Sequence, residues 1–250
     1  MERVTRAVLL AIVVCGGMAW ADAPEVSFKQ GNAAFADGKF ADAVTLYEAA
    51  RAGGLKSWVL EYNLGDAYYR TDHLGKAVAH FARAFRLNST DRDVIDNLNL
   101  TLTKAGDPLL PNSGLAVFLW RLFYGIPLNL LTFGASLVFF ILCGLAAMRL
   151  WNGRAFPVEA WALLGVLEIA LAGWTYTRWS VQTQPQAVVI ATVAEVRSGP
   201  NPSYPANFTI PEGRRVLVLE EQEPVQGWLE IGVPQEGLKG WVPDASVDVL

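Results

Sequence analysis

The chain has 250 residues, of which 52% are hydrophobic and only 18% are charged, and its formal net charge is −4. This hydrophobic share is high for a soluble protein, so the apolar residues must be concentrated in particular segments. No cluster of Lys or Arg provides the basic surface of a nucleic-acid-binding protein, and we expect no nucleic-acid partner. The two cysteines lie inside apolar segments, which excludes a disulfide framework in the folded domains.

The first 21 residues have the three-part layout of a secretory signal peptide. Arg3 and Arg6 precede an apolar stretch, and the small-residue pattern at 19–21 (AWA) predicts cleavage after Ala21. Two alternatives are an uncleaved anchor, which would leave everything downstream on the same side of the membrane, and a lipoprotein signal at Cys15.

Residues 24–106 repeat themselves at an offset of 34 residues, a period typical of stacked pairs of helices. Small residues allow the two helices of a pair to approach closely, while an aromatic residue fills the space between neighbouring pairs. The segment therefore predicts an all-α solenoid that ends in a capping helix over residues 94–104. The positions that return are Gly31 as Gly65, Ala43 as Ala77, Tyr47 as Phe81, and Ala50 as Ala84.

The second copy of the repeat resembles the tetratricopeptide family through residues 62–69 (YNLGDAYY), Ala77, Phe81, Ala84 and Leu87. The resemblance implies a right-handed superhelix whose inner surface receives an extended peptide or a helix of another protein. Alternatively, the aromatic residues of that surface only pack against the membrane-proximal segment or the capping helix. By matching positions, the residues expected to bind protein are Phe28, Asn32, Phe35, Tyr62, Asp66, Tyr69 and Arg70.

The sequence carries no recognisable reactive or metal-binding arrangement. His73 and His80 have no Cys or carboxylate at metal-ligand spacing, so we expect no metal site. Neither a nucleophile elbow, nor a phosphate-binding loop, nor a dinucleotide fingerprint occurs in the chain. We therefore expect no cofactor and no catalytic activity.

Two apolar segments, residues 128–148 and 158–178, are each long enough to cross a hydrocarbon core of roughly 30 Å. The turn between them carries Arg149 and Arg154, which the positive-inside rule places in the cytoplasm. Together with the signal peptide, this predicts an inner-membrane protein whose flanking domains both face the periplasm. The apolar segment 114–126 contains an arginine and ends at glycine and proline, so we expect it to lie at the bilayer surface.

Glu168 lies near the middle of the second apolar segment, where an ionised side chain is costly. No basic residue occurs between the arginines that flank either segment. We therefore expect Glu168 to contact a membrane helix of another protein. The alternative is a protonated carboxyl group that shares a hydrogen bond with Ser136 of the facing helix or with locally admitted water.

From residue 183 onward, apolar and polar residues alternate between glycine and proline turns, which predicts short strands in a small closed barrel. The segments 194–200 (AEVRSGP), 227–231 (GWLEI) and 240–243 (GWVP) resemble the bacterial SH3 domain along residues 183–250. Tyr204 and Phe208 are candidates for a ligand groove, unless they only cover the barrel. Nine acidic residues against four basic ones favour a protein or peptide ligand over an anionic polymer.

The order of signal peptide, tetratricopeptide helices, two membrane spans and SH3-like barrel resembles the BatE-type proteins of the aerotolerance (Bat) family. The resemblance implies a scaffold of the cell envelope that works with membrane-anchored von Willebrand A-domain proteins and a MoxR-type ATPase system. Two alternative functions are a sensor that binds peptidoglycan through the SH3-like domain, and a wall hydrolase. No general acid, base or nucleophile supports the hydrolase.

Overall fold

The computed structural model describes residues 24–111, 114–153, 157–219, 225–234 and 236–250, and the predicted signal peptide lies outside these residues. Within them, five short helices precede an apolar helix, two long apolar helices and a sheet of seven strands. The helices are α1 (Pro24–Ala36), α2 (Phe40–Ala52), α3 (Trp58–Arg70), α4 (Leu74–Leu87), α5 (Arg92–Ala105), α6 (Gly114–Gly125), α7 (Leu128–Asn152) and α8 (Val158–Thr183). The strands are β1 (Gln186–Val189), β2 (Val193–Arg197), β3 (Ala206–Pro211), β4 (Arg215–Val218), β5 (Trp228–Val233), β6 (Leu238–Pro243) and β7 (Val247–Val249).

The first four helices form two pairs in which a glycine of one helix faces an aromatic ring of the next. A Cβ atom built on Gly31 would stand 2.6 Å from the ring of Tyr47, and one built on Gly65 would stand 2.8 Å from the ring of Phe81. Both rings are buried. The helices therefore pack in a repeat-like manner, and the close approach that the 34-residue repeat predicts is confirmed.

Local signals set the ends of the short helices. The hydroxyl of Ser57 accepts a hydrogen bond from the Val59 amide at the start of α3, and the carboxylate of Asp91 does the same for Val94 at the start of α5. Helix α5 ends at Gly106, whose φ of +66° belongs to the left-handed region that glycine adopts readily. The chain then turns towards the membrane segment.

Helices α7 and α8 pack against each other and are long and apolar enough to cross a membrane. Large apolar side chains such as Phe140 and Ile169 lie on their outer surfaces, where they are 69% and 75% exposed. Each helix begins directly after a proline, a residue suited to a helix start. Both helices continue past the predicted spans, to Asn152 and Thr183, so that only two residues separate α8 from β1.

The seven strands form one open antiparallel sheet in the order β3-β2-β6-β5-β4-β1-β7, not the closed barrel that the sequence predicts. The end strands β3 and β7 each pair with one neighbour among the described residues, so the sheet does not close on itself. Alternate residues of each strand point to opposite faces, and one face carries the core of the sheet. The core residues include Val189, Val196, Ile210, Ile231 and Val242, all of which are buried.

Strand β1 belongs to two cores at once. Ala187 and Val189 point into the sheet core, whereas Val188, between them, joins the core of the short helices. Gly213 also packs closely on the helices, because a Cβ atom there would stand 2.7 Å from the Cβ of Ala105. The sheet therefore packs against α4 and α5 through apolar contacts. No pattern in the sequence predicts this packing.

Charged groups reinforce this junction. Asp107, whose side chain is 1% exposed, lies 2.5 Å from Nε of Arg215 and 3.4 Å from Nε of Arg214. On α4, Arg83 pairs with Asp248 of β7. The charged groups of these ion pairs are largely removed from water. Loss of one member would therefore leave a buried charge without a counter-charge.

Candidate functional site

The exposed sides of α1, α3 and α5 form a continuous surface, which we call the α1–α3–α5 face. The amide oxygen of Asn32 accepts hydrogen bonds from the Tyr47 hydroxyl at 2.8 Å and from the Asn63 amide at 2.9 Å. The Tyr62 hydroxyl accepts one from the Asn97 amide at 2.6 Å. These bonds hold the three helices side by side and leave polar groups along the face.

Charged and aromatic groups continue the face towards the ends of α3 and α5. Asp66 and Arg70 are one helical turn apart and form an ion pair at 3.4 Å. The ammonium group of Lys104 lies 4.3 Å from the centre of the Tyr69 ring, a distance typical of a cation–π contact. The face therefore offers amides, one carboxylate, two cations and two aromatic rings to a ligand.

Two of the predicted groove residues are turned towards the helical core. Phe28 lies 5.8 Å from the Tyr47 ring, and Phe35 makes an edge-to-face contact with Phe40 at 5.1 Å. Both are half-buried. Tyr62 and Tyr69, the equivalent residues of the second pair, are half-buried against the same core, and Tyr62 makes an edge-to-face contact with Phe81 at 5.6 Å. Their hydroxyl groups lie with Asn32, Asp66 and Arg70 on the α1–α3–α5 face.

The predicted ligand residues of the sheet lie in the edge strand β3 and in the loop before it. Tyr204 is 47% exposed, and its ring covers Gly199, where a Cβ atom would stand 2.8 Å away. Phe208 lies on the edge strand β3 and packs partly against the sheet core. The structure thus leaves Tyr204 accessible and places Phe208 mainly in a packing role.

A buried ionic cluster on α2, α3 and α4 is a feature that the sequence does not reveal. His80 is 2% exposed, and its Nδ1 lies 2.7 Å from Glu61 while its Nε2 lies 3.5 Å from Glu48. The Tyr68 ring stacks on the imidazole at 5.2 Å, and its hydroxyl donates to Glu48. Arg51 adds an ion pair with Glu61 at 3.1 Å.

The electrostatics of this cluster favour ionised carboxylates. The hydrogen bond from His80 lowers the pKa of Glu48 from 4.5 to about 2, against the opposing effect of burial. Burial raises the pKa of Glu61, but the hydrogen bond and charge of His80 outweigh it, so the net shift is downward. Neighbouring Tyr47 is kept neutral, because burial raises its pKa to about 12.

The cluster does not amount to a metal centre. In the part of the chain that the structure describes, no group of three or more His, Cys, Asp or Glu side chains could hold a metal ion. Its carboxylates and histidine come from three helices, and each already has a hydrogen-bonding partner. The arrangement ties the two helix pairs together.

Glu168 lies in α8 beside a crevice of about 480 Å³ between the two long helices. Its Oε2 atom is buried and has no hydrogen-bonding partner among the described residues. The Ser136 hydroxyl on the facing helix donates to the carbonyl of Thr132 instead, at 2.8 Å. The two residues line the same crevice without a hydrogen bond between them.

The short apolar helix α6 contacts both helix α4 and the last part of helix α8. Trp120 packs on Phe85 of α4 at 5.5 Å, and Tyr124 lies 4.5 Å from the guanidinium of Arg178. Arg178 is 3% exposed and donates to the carbonyl of Phe123 at 3.0 Å. A cation at the end of a helix is favoured by the helix dipole, so Arg178 holds α6 against α8.

Comparison with known proteins assigns no family, because no protein-family model and no curated protein matches this chain.

Proposed function

We propose that this chain is a non-catalytic, membrane-anchored scaffold of the bacterial cell envelope, and that it binds other proteins through the α1–α3–α5 face. The proposal rests on the composition of that face, where amides, charged groups and aromatic rings from successive helices lie side by side. Such a surface suits an extended peptide or a helix, because the amides pair with a backbone and the rings contribute apolar contact.

The fold-level part of the proposal is a tetratricopeptide solenoid followed by an SH3-like domain, as in the BatE-type family. The glycine and aromatic pairs at an offset of 34 residues support the solenoid. The antiparallel pairing of short strands around an apolar core supports the SH3-like domain. On this view Tyr204 marks a second contact surface, at the sheet edge that the helices leave open.

We further propose that both folded parts face the periplasm from the inner membrane. The docking of the sheet on α4 and α5 supports this arrangement, because the parts before and after the two spans must then lie on the same side of the bilayer. Arg149 at the turn between the spans favours the cytoplasm for that turn. The partners that the family resemblance implies are von Willebrand A-domain membrane proteins and a MoxR-type ATPase system.

Photocrosslinking in intact cells tests the binding surface. A photoreactive phenylalanine analogue would replace Tyr69 on the face, with Thr45, exposed on α2, as the matched control. The proposal expects a discrete protein adduct from position 69 that the control lacks, and a loss of that adduct when Asn32 is replaced by Ala. Equal labelling from both positions, or none from position 69, would refute the binding role of the face.

Two further measurements separate the alternatives. Protease added to intact spheroplasts should digest the helical part and the sheet, and survival of either part until lysis would refute the topology.

The exposure of Tyr204 is also compatible with the peptidoglycan sensor. The full chain, solubilised in detergent, should stay unbound when mixed with purified wall sacculi, and retention that Tyr204→Ala abolishes would favour the sensor over the scaffold.

A further inference from the structure

The scaffold function does not use the carboxyl group of Glu168, which lies in the long apolar helix α8. Glu168 lies ten residues beyond the start of α8, or about 15 Å along the helix axis, which places it near the middle of a bilayer. Its Oε2 atom is buried without a hydrogen-bonding partner among the described residues. An unpaired polar group at this depth is expensive, and residues of this kind normally face a partner.

The neighbouring hydroxyl groups do not provide that partner. Thr132 donates to the carbonyl of Leu128 at 2.9 Å, Ser136 to that of Thr132 at 2.8 Å, and Thr175 to that of Leu171 at 2.8 Å. Each hydroxyl hydrogen is thus directed at its own helix. Among the described residues, the helix pair therefore supplies no donor to Oε2 of Glu168.

The surfaces beside Glu168 leave room for another helix. The crevice of about 480 Å³ is open to the surroundings of the helix pair and is lined by Phe139, Phe140 and Tyr176 as well as Glu168. On α8, Gly165 lies three residues before Glu168 and has no heavy atom within 4 Å of the position of a Cβ. Glycines that their own hairpin does not use allow the backbone of a neighbouring helix to approach closely.

Charge complementarity decides between a second copy of this chain and a different protein. Neither spanning segment contains Lys, Arg or His between its flanking arginines, so a second copy could not bring a basic side chain to this depth. A basic side chain would satisfy the carboxylate and share the cost of its burial. We propose that Glu168 and its crevice bind a transmembrane helix of a different protein, which carries a basic residue at the middle of the bilayer.

Photocrosslinking of the full chain in its native membrane tests this proposal independently of the α1–α3–α5 face. A photoreactive phenylalanine analogue would replace Phe140, which lines the crevice, and the control would carry it at Ile169, which is 75% exposed. We expect a protein adduct from position 140 alone. Mass spectrometry of that adduct should identify a transmembrane peptide that contains Lys, Arg or His.

Variants of Glu168 then connect the adduct to its carboxyl group. Glu168→Leu, which makes the span more apolar and therefore preserves insertion, should reduce the adduct roughly tenfold or more, while Glu168→Asp should retain most of it. The control Glu159→Gln, in the first turn of the same helix, should leave the yield unchanged. The charge reversal Glu168→Lys should restore the adduct when the basic residue of the partner is replaced by Glu.

Several results would overturn the proposal. These are an adduct with a second copy of the chain, adducts with lipid only, equal adducts from positions 140 and 169, full yield with Glu168→Leu, and a partner segment without a basic residue. Failure here would leave the crosslinks expected from Tyr69 unaffected, so the two proposals are tested separately.

Discussion

The glycine at position 65 provides a sharp test of how the helix pairs pack. Replacing Gly65 by Ala would place a Cβ atom 2.8–2.9 Å from three carbon atoms of the Phe81 ring. Contacts this short require one of the groups to move, and the ring is only 2% exposed within a packed core. We therefore expect Gly65→Ala to destabilise the helical part.

The expected magnitude follows from two opposing effects. Overpacking of a rigid core typically costs about 1–3 kcal/mol, and a buried ring with no free space places this site in the upper part of that range. Alanine in a helix interior is favoured over glycine by about 1 kcal/mol. The net loss in the free energy of unfolding should be about 1–2 kcal/mol.

Pulse proteolysis of the detergent-solubilised chain in urea measures this loss through cleavage of the helical part. With a urea dependence of about 1–2 kcal/mol per molar, the midpoint should fall by about 1 M. Gly144→Ala is the matched control, because this helical glycine has open space at the position of its Cβ. Alanine is the better helix former, so the control should leave the midpoint unchanged or raise it slightly.

A double variant decides whether the Phe81 ring is the cause. In the background of Phe81→Leu the smaller side chain leaves room for the added methyl group, so Gly65→Ala should become neutral or stabilising there. An equal loss in the free energy of unfolding in both backgrounds would show that the Phe81 ring does not cause the destabilisation. Gly31→Ala should behave like Gly65→Ala, because its Cβ would stand 2.6 Å from the Tyr47 ring.

Three further predictions concern the charged groups. Replacing Asp107 by Ala leaves Arg215 without its counter-charge, while Arg214 keeps only its ion pair with Glu236 at 3.0 Å. Trypsin should therefore cut at the junction sooner than in the wild type, with a loss of about 2 kcal/mol after allowance for the partial exposure of the arginines. The pKa of Glu48 is lowered from 4.5 to about 2 in the folded state. The stability that this carboxylate contributes is therefore complete above pH 4.5 and is lost as the pH falls towards 2. Between pH 6 and pH 3, the urea midpoint should decrease less in Glu48→Gln than in the wild type. Arg178→Gln weakens the bond to the Phe123 carbonyl at the end of α6, so hydrogen exchange of residues 114–125 should become faster, whereas Arg121→Gln, at an exposed site, should not change it.

The sequence predicts well those features that depend on periodicity. The two apolar segments stand out by composition, and the offset of 34 residues identifies the glycine and aromatic positions that face each other in the structure. Glu168 is also recognisable, because one charge within a long apolar run is conspicuous. Its lack of a hydrogen-bonding partner depends on the rotamers of neighbouring hydroxyls, and the sequence gives no information about those.

Features built from distant residues could not be predicted. Arg83 and Asp248 are 165 residues apart, and no local pattern links them. The partners of His80 come from two other helices, and a search for nearby metal-ligand spacing overlooks them. The position of Phe28 in the repeat predicts a groove residue, but its contact with the Tyr47 ring becomes apparent only in the folded chain.

The two-residue connection between α8 and β1 limits what the folded parts can reach. A long flexible linker would allow the sheet to move through a wide volume. Here the chain continues from the short helices through α7 and α8, and β1 then packs directly on the short helices again. Contacts between β1 and α4 close this path into a loop. Under the proposed function, a ligand held by either part would be confined close to the lipid surface, where it would meet membrane-embedded proteins far more often than in free solution.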